Sequence, residues 1–238
     1  MLDFKQGWLL TKRELQSNGV MFIWSTGMMV YMGVIVGFLY YTNQNEILNY
    51  GLLDVLMLVT SPLLSIDYSR RSFRLMKEDT YRKQMIYFRS LPIPFSAVLG
   101  SRLQVMGIML VYNSILFFGL IYFVGAHTIP GMTITAYLTY AISWIALGLI
   151  LTSLYVYMEY AVRQKTYLFW SIVSTVLLLG LAILGIVINK HASSMVMKAA
   201  IDDQLASPIM WIGLAIAAVT LIFSFRVIYR KARVRDLV

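Results

Sequence analysis

Asp54 is the one carboxylate set well inside an apolar run, in YGLLDVLMLVTSPLLSI. An ionised aspartate at mid-bilayer costs about 2.5 to 3.5 kcal/mol on insertion scales, so it belongs against a bundle interior or a water-lined route; near the headgroups the cost is small. Both placements are open for a residue close to the start of its run. Asn113, uncharged and within another apolar run, is suited to a helix-to-helix hydrogen bond more than to holding a substrate. These two are the candidates for a translocation pathway. His127 and His191 fall in separate loops without an HExxH spacing or clustered carboxylates, the pattern of solvated loop histidines and not of a metal site. With no cysteine at all, disulfides, thiolate metal sites and a cysteine nucleophile are excluded. The chain contains neither GxxxxGK[ST] nor GxSxG, so it has no phosphate-cradling loop and no nucleophile elbow. The expectation is a protein that is no enzyme alone and holds no cofactor of its own.

The other constellation able to do something specific is Asp67 to Arg102, a long polar stretch holding eight of the chain's twenty lysines and arginines. Within it Tyr81, Met85 and Phe88 recur at i, i+4 and i+7, so they share one face of a helix flanked by Arg82, Lys83 and Arg89. A short amphipathic helix is predicted from Thr80 to Leu91. Asp79 or Thr80 can satisfy its free amides at the start, and Pro92 ends it by pushing Leu91 out of the α region. An aromatic face of this kind suits docking to a soluble partner; the same residues could also lie against headgroups, with the cations reaching lipid phosphates.

What must position these residues follows from composition. Hydrophobic residues make up 59% of 238 and charged residues 13%, with a mean hydropathy of +0.72. No soluble domain that apolar could cover its surface with polar groups, whereas a bilayer accepts apolar side chains facing outward. The chain reads as an all-α integral membrane protein forming a single transmembrane domain over 1–238. Six spans are predicted at about 20–41, 51–66, 103–125, 134–158, 168–188 and 208–225. An interfacial helix over 3–17 precedes them, with Phe4, Trp8, Thr11 and Leu15 on one side. Six spans put both termini on one side, and eighteen of the twenty basic residues fall there, with only Lys190 and Lys198 opposite. By the positive-inside bias the termini and the 67–102 segment are cytoplasmic. The net charge of +9 is thereby accounted for without nucleic acid. In the first span Gly33 and Gly37 form a GxxxG pair, a site for close approach of another helix.

The layout, together with FRSLPIPFSAVLGSRL between the second and third runs, resembles the membrane subunits of ABC-2 family ABC transporters. The residues that carry the likeness are Leu91 and Pro92, then Ser96, Gly100 and Arg102 opening the third span. The resemblance implies a coupling helix at 80–91 that contacts an ATPase through Tyr81, Met85, Phe88, Arg89, Leu91 and Pro92. It implies as partners two ABC ATPase subunits, which bind ATP and Mg, and a second six-span permease subunit, identical or paralogous, besides membrane lipid. It also places the first span near the dimer axis, making Gly33 and Gly37 candidates for the dimer interface. The implied function is export across the plasma membrane of a bacterial cell, driven by the separate ATPase. An alternative is a membrane-embedded immunity or signalling component that binds a partner without transport. Arg82 and Lys83 stand where family members often carry acidic residues.

Overall fold

The computed structural model describes residues 4–17, 19–42, 47–65, 94–161 and 164–234, and every regular element among them is helical. The α-helices are α1 Phe4–Ser17, α2 Gly19–Thr42, α3 Ile47–Leu63, α4 Phe95–Val124, α5 Ile134–Ala161, α6 Gln164–Val187, α7 Ala192–Asp203 and α8 Pro208–Val234. Short 3-10 turns at Ala126–Thr128 and Gln204–Ala206 join α4 to α5 and α7 to α8. In hydrocarbon no water is available to satisfy the backbone, so apolar runs of this kind close their hydrogen bonds internally as helices. Five of them (α2, α4, α5, α6 and α8) are long and apolar enough to cross a membrane. The chain is a membrane-embedded multi-pass protein.

Several boundaries depart from the sequence expectation. The second expected span, α3, is a 17-residue helix, about 26 Å long. It carries Pro62 in its last turn, and the Leu64 amide then bonds back to the Ser61 carbonyl at 3.3 Å. The third begins at Phe95 and not near Leu103, because Pro94 in an extended conformation (φ −66°, ψ 137°) sets its start. Ser96, Gly100 and Arg102, read from sequence as the end of a polar segment, are thus in the first turns of α4. Likewise α8 continues past Phe225 to Val234, since arginines interrupt an apolar run without interrupting a helix.

α2 packs closely along α4. Ser25 donates to Asn113 Oδ1 at 2.6 Å, and the Thr26 and Tyr112 hydroxyls meet at 2.6 Å. Further along, Gly33 faces Leu120 and Gly37 faces Val124. These pairs advance together, so the two helices run parallel and in step. On the other side α5 packs against α8, α3, α6 and α7. Its Gly148 lies so close to α3 that a Cβ there would run into the Ser61 carbonyl. Lipid tails are as apolar as leucine, so association rests on such close approaches and on interhelical hydrogen bonds more than on burial. The outward face of α6, with Phe169, Ile172, Val176 and Leu181 exposed, is mostly apolar, as a bilayer requires, and the exposed Thr175 hydroxyl is satisfied by the Ser171 carbonyl at 2.9 Å.

Candidate functional site

Asp54 lies about two turns into α3, one turn beyond Tyr50, and it is 1% exposed. Its carboxylate is shielded from bulk water, and among the described residues no lysine pairs with it. It accepts hydrogen bonds from the Ala192 and Ser193 amides, at 3.1 and 2.6 Å, which are the first two amides of α7. Those donors have no intrahelical acceptor, and the helix dipole places positive potential around them. The residue at the N-cap of α7, His191, makes no side-chain cap. A carboxylate from α3 therefore does the work that a serine or aspartate at position 191 would do locally.

The chain is brought to this point by a tight reversal at the end of α6. Asn189 adopts a left-handed conformation, φ 53°, which its short polar side chain tolerates. Its amide bonds to the Ile186 carbonyl, and the Lys190 amide to the Gly185 carbonyl at 2.9 Å, the paired bonds of a Schellman motif. Gly185 faces both the Lys190 carbonyl and, more distantly, Asp54 Oδ2, so a larger residue there would push the turn away from the carboxylate. His191 follows, its ring stacked on Tyr50 with centroids 5.9 Å apart and 27° between planes. Its Nδ1 is 3.3 Å from Asp54 Oδ2. That spacing suits an ion pair when the imidazole is protonated, but the groups are out of line for a hydrogen bond. The expectation of a solvated loop histidine is therefore corrected: His191 is 5% exposed. His127 is exposed, its Nδ1 2.9 Å from the Tyr122 carbonyl oxygen.

The helix so pinned, α7, was not foreseen; the sequence between the last two spans reads as a loop. Ser193, Met197 and Ala200 are its buried face, at i, i+4 and i+7, and Met197 and Ala200 join the cluster formed by Leu53, Met57, Tyr137 and Tyr140. Its spacing was legible in VMKAAI, but a 12-residue helix with two serines in its first turn is easily read as a loop. Below it Tyr40 and Tyr140 share a hydrogen bond of 2.6 Å with their rings edge to face. Tyr40 is buried, whereas the adjacent Tyr41 is exposed. This end of the bundle is thus closed by a helix that one carboxylate ties to α3. Among the described residues no cluster of three histidine or acidic residues could hold a metal ion. The arrangement offers a mechanical tie between α3 and α7.

Comparison with family models, with curated proteins and with solved structures finds no match. The assignment of a role therefore rests on the residues themselves.

Asn113, the second pathway candidate, is fully buried with both its amide oxygen and nitrogen bonded: it accepts from Ser25 and donates from Nδ2 to the Leu64 carbonyl at 2.9 Å. It braces α2, the end of α3 and α4 against one another. Gly33 and Gly37 are used within the chain. A Cβ on Gly33 would lie 3.0 Å from Leu120 Cβ, and one on Gly37 2.7 Å from Val124 Cβ, so both glycines pack against α4. Tyr81, Met85, Phe88, Arg89, Leu91 and Pro92 lie outside the described residues.

The opposite end of the bundle holds a contact that the sequence did not announce. Gly7 of α1 lies against the Ala97 carbonyl and the Ser101 amide. The buried Thr11 hydroxyl is within 3.1 Å of Ser101 Oγ and 2.9 Å of Gln104 Oε1. The buried face of α1 is therefore Gly7 and Thr11, whereas Trp8, expected on the same stripe as Thr11, is 49% exposed. Small residues permit this approach, and hydropathy does not register it.

Proposed function

We propose that this chain is the transmembrane subunit of an ABC transporter resembling those of the ABC-2 family. It forms a six-span half that pairs with a second such subunit, identical or paralogous, and exports a substrate across the plasma membrane of a bacterial cell. Two separate ATPase subunits bind ATP and Mg and supply the energy. The observation that carries this reading is the grip of α1 on the first turns of α4. The segment with Tyr81, Met85 and Phe88 leads through Leu91 and Pro92 directly into Phe95, so a force applied to it enters α4 where Gly7 and Thr11 hold that helix. Because α2 runs in step with α4, a displacement of α4 carries α2 with it. Movement of packed helices as rigid bodies is the usual way a nucleotide-driven change at one end opens a route at the other. The junction of α2, α3 and α4 is filled by the Asn113 brace, which favours a substrate route between two subunits over one through a single subunit.

The test is isolation of the intact complex in detergent, followed by the double substitution Tyr81→Ala with Phe88→Ala. Aromatic anchors in interface centres each contribute about 1 to 2 kcal/mol or more, so the double variant is expected to lose its ATPase or to uncouple hydrolysis from transport while staying inserted. A fully coupled ATPase on that variant moves the point of energy entry elsewhere. A native complex without any ATPase favours the alternative, an immunity or signalling component.

A further inference from the structure

Where α8 leaves its apolar portion, an open groove of about 550 Å³ lies between it and α4. Its walls change character along the helix. Leu221, Ile222 and Phe225, with Leu103 of α4, form the apolar part, and Arg226 and Arg230 stand at the other end. Ile222, Arg226 and Arg230 are spaced at i, i+4 and i+8, so they stand above one another on one face. From Leu221 to Arg230 the helix rises about 14 Å. Both guanidiniums are exposed, and neither has an acidic partner among the described residues. An arginine carries its charge at any physiological pH and presents a planar set of donors matched to phosphate.

We infer that this groove is a binding site for an anionic glycerophospholipid, its phosphate held between Arg226 and Arg230 and an acyl chain laid along Leu221, Ile222, Phe225 and Leu103. The polarity of the groove carries the inference: a lipid is itself apolar at one end and anionic at the other, and here the apolar end points into the hydropathic part of α8, which ends near Arg230. Basic pockets between membrane helices at the headgroup level recognise anionic headgroups in this manner. Charge also argues against the chain's own segments as occupants. Residues 66–93 carry seven lysines and arginines against three acidic residues, and 231–238 three against one. A second copy would bring the same cations. The site is independent of whether the chain is a transporter subunit, since it needs only α8 and α4 in a bilayer.

The full-length protein in detergent, titrated with phosphatidylglycerol and followed by native mass spectrometry, tests this. Retention of phosphatidylglycerol over phosphatidylcholine is expected, and Arg226→Gln with Arg230→Gln should weaken phosphatidylglycerol about thirtyfold, the factor expected of two cations at a membrane surface. Phosphatidylcholine binding should not change. The Arg226→Lys, Arg230→Lys variant keeps the charge, and it should retain most of the preference if the double glutamine variant is folded. An equal loss on changing Lys12 and Arg13 of α1 to glutamine would reduce the effect to general surface charge and overturn the site. Displacement of the lipid by millimolar inorganic phosphate would make it a phosphate site and overturn the assignment to lipid, as would equal retention of phosphatidylcholine.

Discussion

The two shortest of the described α-helices, α1 at one end and α7 at the other, are held in different ways. At α7 a charged group meets the two unsatisfied amides of a helix start, at 3.1 and 2.6 Å, so a large share of the restraint is in one side chain. At α1 several neutral contacts share in the restraint. Gly7 allows backbones to touch, Thr11 shares weak hydroxyl bonds with Ser101 and Gln104, and Leu15 packs with Phe22 on Val105 and Met109. A charge buried among amides is strong while intact and costly to leave incomplete. Neutral packing fails by degrees. The difference suits the proposed roles, with α1 moving together with α4 and α7 fixed over the far end until its carboxylate is disturbed.

Asp54→Leu should have the largest effect. It strands two amides, each worth about 1.5 to 3 kcal/mol when bonded to a charged acceptor, and α7 can regain partners by moving out to water. In a Ser193→Cys background of this cysteine-free chain, a membrane-impermeant thiol reagent should label the released helix and not the parent, whose position 193 is fully buried. Asp54→Asn keeps one acceptor oxygen and should fall between the two. Continued protection of position 193 in Asp54→Leu would show that α7 is held by its apolar face after all.

The glycine seam gives the next effect in size. Gly37→Leu must displace Val124, so it should cost about 1 to 3 kcal/mol of stability in detergent, as overpacking does. Gly27→Leu should be silent on that measure, because nothing lies within 4 Å of a Cβ there. Intact stability with loss of a dimer would return Gly37 to a contact between copies. Asn113→Leu breaks the brace to Ser25 and Leu64; interhelical hydrogen bonds in membranes average about 0.6 kcal/mol and reach about 1.7, so a small drop in thermal midpoint is expected. The smallest change should come from Thr11→Val, about 0.5 kcal/mol, with α1 still resistant to protease. If Thr11→Val frees α1 as completely as Asp54→Leu frees α7, the contrast between the two ends does not hold.

Which segments form long apolar helices could be read from the sequence because hydropathy adds along a helix whatever its rotation. Runs such as Val20 to Tyr41 and Ile134 to Met158 therefore matched α2 and α5 closely, and the helix at the N-terminus was foreseen as well. Ends marked by polar residues were misplaced, as at Phe95 and Val234, since a serine, glycine or arginine does not stop a helix. Which faces meet was not legible. A soluble helix reveals its buried face by contrast with its polar one, but α2, α4 and α5 are apolar all round, and lipid and protein neighbours accept the same side chains. What marks the contacts instead is small or weakly polar: Gly33, Gly37 and Gly148, Ser25 with Asn113, Thr11 with Ser101. Each is ambiguous until its partner is known. Asp54 shows this most clearly. Its sequence position left open whether it faces the headgroups or a bundle interior; only the tertiary structure, by folding the end of α6 back through Asn189, buried it and supplied two amides from a helix 138 residues away as compensation.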